Sequence, residues 1–565
     1  MQATHGAPDT PCVPPEACKV TTPLVFSAWR YMLISHPHRP LVHFFLQGLT
    51  AGFRVGFNSS STTLRSAKRN LKSAADHVEV VTEYLASEIS AGWVAGPFPP
   101  HMVPFAHISR FGVIPKSHQP NKWRLIIDLS HPEGKSVNDG IQKELCSMAY
   151  ISVDDAIQQI VTLGQGALLA KIDIKSAFRL LPVHPADRHL LAMEWHGVIY
   201  IDTCLPFGLR SAPKLFNVLA DFLEGILLNQ GVTFVLHYLD DFLTIGPPGT
   251  TVCQHNLSLI IEVCQVLGIP LAIEKVAGPA TSLDFLGIVL DTDHMEARLP
   301  KDKLVRIQAT LHEWLQKRSA KKREILSLVG VLQHAARVVR PGRTFVSRMY
   351  ATAAGVRELD YFTRLNKEFR SDLHWWNTFL GLWNGVSFFP PKKNPDSVVQ
   401  TDASGSWGCA AFSEGQWLQW QWPVEWEKES IMAKELVPII LCCVLWGKMM
   451  ARKVVLFQCD NTGVVAAVTK GSAREVLVMH LLRTLWFFVA YYDISVRIEH
   501  IAGVHNRTAD QLSRNNMQQF FFFNPQANLL PTPMPPELLQ LISVTKPDWT
   551  SQRFTQLFNI ITSKV

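Results

Sequence analysis

No C-x-x-C pair occurs among the ten cysteines, and only Cys442 and Cys443 are neighbours. Neither a disulfide framework nor a zinc cluster is suggested. A reducing, intracellular setting (cytoplasmic, nuclear or both), rather than secretion, is the expectation. The N-terminus, MQATHGAPDTPCVPPEACK, lacks an apolar signal core. The longest apolar helical stretch, LVPIILCCVLWG, is too short to span a bilayer, so no membrane partner is expected. Internal repeats are absent. Charge is modest, with 18% charged residues and a net +7. That balance is compatible with a nucleic-acid partner without requiring one. Basic residues crowd in one place, KRSAKKR from Lys317 to Arg323.

What the chain has is core-building material. It contains 565 residues, 47% of them hydrophobic, with sixteen tryptophans, and this predicts several globular domains. Residues 1–70 read as an irregular leader. LRSAKRNLKSAADHVEVVTEYLASEISAG predicts one long helical region. FGVIP, WRLIIDLS, LLAKIDI and LLAMEWHGVIYIDT read as strands, and SAPKLFNVLADFLEGILL as a helix. SLDFLGIVLDT reads as one further strand. Residues 300–380 look mostly helical, and PKKNP (Pro391–Pro395) reads as a linker. Beyond it, VVQTDASGSWGCAAF and QWLQWQW read as strands. AKELVPIILCCVLWGKMM reads as a helix, with Glu435 in its first turn. VVLFQCD and SVRIEHIAG read as strands, NRTADQLSR starts a helix, and the tail from about 515 looks loosely organised.

The stretch HYLDDFLTIG places Asp240 and Asp241 inside an apolar hairpin. An Asp-Asp pair at a turn tip is common. A buried carboxylate pair is costly unless a cation lies between the two. LLAKIDIKSAF ends another apolar strand on Asp173, a third carboxylate for such a site. Hard cations such as Mg²⁺ take oxygen ligands. Two of them about 4 Å apart can clamp an in-line phosphoryl displacement.

LLAKIDIKSAFRLLPVHP, CLPFGLRSAPKLF and HYLDDFL, in this order, resemble the palm of reverse transcriptases, and KWRLIIDLSHPEGKSVNDGI is similar to their fingers segment. The resemblance implies an α+β multidomain chain: a right-hand polymerase with fingers, palm and thumb. Fingers and palm would span 71–295, and a thumb or connection 296–390. It implies RNA-directed DNA polymerase activity with an RNA template, a DNA primer and dNTPs. Asp173 and Asp240 match the metal ligands, and Asp241 is the second aspartate of the motif, which Tyr238 opens. Phe178 stands where the family excludes a 2′-hydroxyl; a plain core aromatic is the alternative. Arg124 matches the arginine that grips the triphosphate, with Lys116 as a second cation; a surface role is the alternative for both. Phe207, in LPFG, lies near the incoming base.

A second acidic set follows the linker: Asp402, Glu435, Asp460 and Asp510. Any one alone reads as a cap or surface group. Together they resemble the ribonuclease H fold over 396–515, an α/β domain with a mixed five-stranded sheet, followed by a tail over 516–565. That implies two-metal hydrolysis of RNA in RNA–DNA hybrids, with two Mg²⁺ per active site, or Mn²⁺. His500 matches the family's mobile histidine, with His505 as a rival and a structural role as the alternative. KRSAKKR and LSLVGVLQHAARVVRPGRTF would lay basic side chains along a duplex backbone. SRFGVIPKSHQPNKWRLIIDLSHPEGKSVNDGI, LVGVLQHAARVVRPGR and HNRTADQLSR look like DIRS-type retroelements, which use a tyrosine recombinase. Neither a recombinase signature nor an aspartic-protease triplet is visible, so the chain reads as a fragment, a truncated copy or the polymerase part alone. The rival function is a decayed or domesticated nucleic-acid-binding protein. The oligomeric state is not legible.

Overall fold

The structure is a computed structural model that describes residues 13–67, 69–115, 123–382, 384–387 and 394–536, together with 538 and 542. The chain divides into two units, Met1–Leu286 and Gly287–Val565. Both mix helices and strands. Among the described residues no helix is long and apolar enough to cross a membrane.

The first unit opens with α1 (Phe26–Met32) and α2 (Arg39–Ala51), so the described part of the expected leader, from residue 13, is not irregular throughout. After α3 (Val78–Ser90) come β1 (Val94–Phe98), the ribbon β2 (Arg110–Pro115) and β3 (Trp123–Asp128), and α4 (Val153–Leu163). Next are β4 (Leu168–Asp173), β5 (Ala192–Trp195), β6 (Val198–Asp202) and α5 (Ala212–Asn229). β7 (Val235–Tyr238), β8 (Asp241–Gly246), α6 (Val252–Leu267) and β9 (Ala277–Ala280) follow. One sheet runs β7-β8-β4-β9 and another β1-β6-β5. Apolar faces of β4, β8, α5 and α6 form the main core, with Ile172, Phe242, Phe216, Leu223 and Cys264 all buried. Trp29, Phe45 and Phe53 belong to the same core. Phe45 meets Phe222 of α5 at 5.2 Å, and Trp29 Nε1 donates to the Leu267 carbonyl that ends α6. Gly52, at φ +87°, lets the chain leave α2 hard against residues 183–184, where a Cβ would lie 2.5 Å from the His184 nitrogen.

Two local readings change here. Helix does not begin at Leu64, because the Ala67 and Leu71 amides donate to Ile108 and Phe111 carbonyls instead. The long run LLAMEWHGVIYIDT is a hairpin, with His196 and Gly197 at φ +50° and +78° between β5 and β6. Positive φ at both central residues is what a tight hairpin turn demands. SLDFLGIVLDT is likewise two strands, Ser282–Phe285 and Ile288–Asp291.

In the second unit, α7 (Lys301–Gln316), α8 (Lys322–Ala335) and α9 (Lys367–Leu382) are the main helices of residues 300–382. A short ribbon pairs Ser319–Lys321 with Phe362–Arg364. Then come β10 (Ser397–Ala403), β11 (Gly408–Ser413), β12 (Gln416–Gln421) and α10 (Ile431–Leu445). They are followed by β13 (Val454–Cys459), α11 (Thr462–Lys470), α12 (Val476–Tyr491) and β14 (Ser495–His500). α13 (Arg507–Ser513) and α14 (Met517–Phe523) end the set. The five strands form one mixed sheet in the order β12-β11-β10-β13-β14, as expected. β10-β11 and β11-β12 are antiparallel; β10-β13 and β13-β14 are parallel. Apart from Lys434 and Glu435, α10 is apolar, and residues 433–445 are buried throughout. The tail is more ordered than expected: α14 buries Phe520 against Trp417 and Phe412.

Candidate active sites

The first candidate site is built by register. β4 pairs with β8 so that Asp173 lies directly opposite Asp241. β7 and β8 join through a two-residue turn, Leu239–Asp240, because Tyr238 pairs with Asp241. Leu239 takes φ +54°, a conformation that a non-glycine residue rarely holds outside constrained turns. The Ile174 amide donates to the Asp240 carbonyl at 3.0 Å, which fixes the turn beside the end of β4. The three aspartates are therefore brought together, all half-buried.

Their electrostatics show the strain of that arrangement. Burial, then the Asp240 and Asp173 charges, raises Asp241 to about 6. Burial and the Asp173 charge also raise Asp240, against an opposing hydrogen bond from its own backbone. Lys275 Nζ donates to both Asp173 oxygens, at 2.9 and 2.8 Å, and that hydrogen bond raises the ammonium in turn. Lys275 was not legible: it lies 102 residues from Asp173 in a short turn, and only the folded sheet brings the two together.

Phe178 and Phe207 also meet, with ring centres 5.0 Å apart, and Phe216 backs Phe178 at 5.8 Å. Phe207 is 48% exposed, so the pair presents an aromatic surface. The loop carrying Phe207 is clamped from behind. Buried Asn138 donates to Gly208 O and accepts from the Arg210 amide, at 2.9 and 2.8 Å. Gly208, at φ +94°, closes on β3, where a Cβ would lie 2.9 Å from the Ile127 oxygen. Tyr238 stacks on Tyr150 at 4.8 Å. Arg124 is exposed on β3, in the ribbon rather than in the sheet that carries the aspartates. Lys116 lies outside the described residues.

The second candidate site gathers carboxylates at the ends of parallel strands. Asp402 lies near the end of β10, and Asp460 follows β13 directly. Glu435 projects from α10, which starts at Ile431 behind the Ser430 cap; it therefore lies beyond the first turn, not within it. Ligand atoms of Glu435, Cys459 and Asp460 all lie within 4.8 Å of one another. Asp402 and Glu435 are each 4% exposed. Burial, with the Asp402 and Asp460 charges behind it, lifts Glu435 to about 9. Burial raises Asp402 to about 6, helped by Asp460 and Asp510 and opposed by a 2.5 Å hydrogen bond from Ser513 Oγ. Asp510 is half-buried and held by Arg514 at 2.6 Å. β14 pairs His500 with Cys459, which sets the His500 ring 3.1 Å from the Asp460 carbonyl; His505 is exposed. Ser513 and Arg514 were missed, although their spacing of three and four from Asp510 on a helix was visible.

Comparison with known proteins adds a family to this geometry. Residues 114–290 match the family model described as reverse transcriptase (RNA-dependent DNA polymerase). An enzymatic polyprotein of Cestrum yellow leaf curling virus is 22% identical over 447 residues, 73% of this chain and 66% of that protein. The retrovirus-related Pol polyprotein from transposon 412 of Drosophila melanogaster is 27% identical over 180 residues, 31% of this chain and 13% of that one. Protein P of duck hepatitis B virus (strain Germany/DHBV-3) is 27% identical over 165 residues, 28% of this chain and 20% of that one. The chain thus spans two thirds or less of these relatives. A foamy viral protease-reverse transcriptase in complex with double-stranded DNA aligns with a TM-score of 0.48 and 14% identity, over 79% of this chain and 73% of that one. The chain carries a reverse transcriptase domain of the kind found in viral and retroelement polyproteins.

Proposed function

We propose that this chain is an RNA-directed DNA polymerase with a fused ribonuclease H, from a DIRS-type retroelement working inside the cell. The observation that carries the polymerase reading is the cross-strand pairing of Asp173 with Asp241, inside the stretch that matches the family. The ribonuclease H reading rests on a mixed sheet in the order β12-β11-β10-β13-β14, with Asp402 and Asp460 at the ends of its parallel strands β10 and β13, and Glu435 and Asp510 on helices α10 and α13. The DIRS assignment rests on the sequence phrases quoted above.

Both acidic sets fit hard divalent cations. In the first, Asp240 and Asp241 stay raised even with Lys275 bound to Asp173, so the set has negative charge to spare. In the second, Glu435 and Asp402 are buried, and the donors that meet them are uncharged: the Ser513 hydroxyl on Asp402, and the Ala403 amide and the Cys459 thiol on Glu435. Asp173, Asp240 and Asp241 would hold Mg²⁺ in one site, and Asp402, Glu435, Asp460 and Asp510 in the other, with Mn²⁺ equally suited to oxygen ligands. When bound, the metal supplies charge stabilisation for phosphoryl transfer and activates the attacking oxygen.

The chain's own residues supply positioning. The Leu239 turn fixes where the Asp240 carboxylate can point. Phe178, braced by Phe216, presents a ring that a ribose 2′-hydroxyl would strike, so dNTPs are selected. Phe207 offers a face to the incoming base. Arg124 would grip the triphosphate, its guanidinium pairing two phosphate oxygens. In the second site, Ser513 holds Asp402 and Arg514 holds Asp510, while His500 stands at the Asp460 carbonyl, ready to exchange protons with product.

The test is primer extension on a labelled RNA template with dNTPs and Mg²⁺, beside Asp240→Asn. Extension lost in the variant while template cleavage persists supports two separate sites. A folded wild type that binds the hybrid but neither extends nor cleaves would leave a decayed binding protein as the better reading.

A further inference from the structure

The basic run KRSAKKR does not behave as one surface. Lys317 pairs with Glu324 at 3.3 Å, while Lys321 and Arg323 both pair with Asp360. Lys322 Nζ donates to the Val356 carbonyl at 2.6 Å. Most of the run is thus spent on internal partners. Arg318 is the exception, because it lines a cavity.

That cavity, of about 720 Å³, lies where the short ribbon meets the first turns of α9. Arg318, Arg364, Asn366, Lys367, Arg370 and His374 line it, with Leu365. Four of these carry fixed positive charge, and no carboxylate is among its described lining residues. The acidic residue of the same helical turn, Glu368, lies close enough to Asp372 and Arg483 to influence both. Arg370 is held in place: its Nη2 donates to the Leu315 and Lys317 carbonyls at 3.1 and 2.9 Å. Asn366 caps α9 by accepting from the Phe369 amide at 2.8 Å. The preceding amides, of Lys367 and Glu368, have no acceptor within the helix, and the positive end of its dipole lies at this turn.

Four like charges around one concavity repel one another, and a fold keeps such a set more readily when an anion joins it. The shape narrows the anion. A duplex presents its phosphates in rows along a rod, which an extended basic groove would meet. A hollow of this volume is the size of a small-molecule site, and arginine forks match phosphate oxygens two at a time. We infer that this cavity binds a compact polyphosphate, an anion with two or more linked phosphate groups, apart from either carboxylate site and independently of the polymerase reading.

Calorimetry on the full chain with inorganic tripolyphosphate tests this. EDTA in the buffer prevents metal-dependent binding at the carboxylate sites. One tripolyphosphate should bind per chain. Arg364→Gln combined with Lys367→Gln should weaken it by about tenfold or more, and Arg318→Gln alone by less. Lys301→Gln, outside the cavity lining, should leave it unchanged. Thermal melts confirm that each variant is folded; Arg370 is left intact because its two carbonyl bonds hold the local fold. No binding by wild type, or equal binding by the double variant, overturns the inference. An RNA–DNA duplex that needs Arg364 and Lys367 while tripolyphosphate does not bind also overturns it, and assigns the cavity to a nucleic-acid backbone.

Discussion

A ring and an amide set the geometry around the first acidic site. Phe178 is wedged between Phe207 and Phe216, so its position is not free to drift. Phe178→Val should therefore admit ribonucleotides, lowering dNTP-over-rNTP selectivity by about tenfold or more, read from competing single-nucleotide extensions. Unchanged selectivity would reduce the ring to a packing residue. Asn138 makes three polar contacts from a buried position, to Ser130, Gly208 and Arg210. Asn138→Ala leaves the Arg210 amide unsatisfied and should cost about 2–4 kcal/mol in urea unfolding. A loss under about 0.5 kcal/mol would mean that the Phe207 loop is held elsewhere.

Elements carry the next set of consequences. His237, on β7, bonds Asp221 and Glu224 of α5, both at 3.1 Å. Burial would lower its pKa, but the hydrogen bonds to Asp221 and Glu224 outweigh it and raise the ring to about 9. The folded value lies above the ordinary 6.5, so this strap contributes fully below about pH 6.5. It is lost as pH rises through 9. His237→Gln should flatten that part of a stability–pH profile; a parallel profile would remove the strap. At this scale the sequence is legible where pattern is local. β4, β7, β8 and α5 follow from alternation and from helical spacing. The break at His196–Gly197 was missed because the dipeptide lacks the Asn or Asp that usually marks such turns. α1 and α2 were missed because short helices among prolines and histidines give a weak periodic signal, and their stability comes from packing on α5 and α6. Asp173, Asp402 and Asp460 were readable at strand ends, Asp240 and Asp241 in a hairpin, and Glu435 and Asp510 on helices. Lys275, Asn138 and Cys459 were not, because their roles exist only once distant segments meet.

Whole-molecule stability should report the charge stored in both acidic sets. Asp241 and Asp402 sit at about 6, and Glu435 at about 9, all above their unfolded values. The folded state therefore holds extra protons between the two values, and metal-free stability falls as pH rises from about 4 to 6, and on to 9 for Glu435. Mg²⁺ binds the folded, ionised set, so it should raise the melting temperature more at pH 8 than at pH 5. Melts in EDTA and in Mg²⁺ across that range decide it; an equal Mg²⁺ shift at both pH values would mean that these carboxylates do not hold the ion. His237 bends the profile in the same direction, so the His237→Gln chain is the proper background.

The tie between Trp29, Phe45 and the helices behind the aspartates has a practical side. Someone trimming this polypeptide to the recognisable signature, from residue 71 onward, would strip a wall from the building rather than a porch. The remainder would expose the aromatic and aliphatic lining of α5 and α6 and should precipitate on expression, with its chemistry never put to the question. By the same logic, gene copies that have lost their first fifty codons should be insoluble even with every aspartate intact.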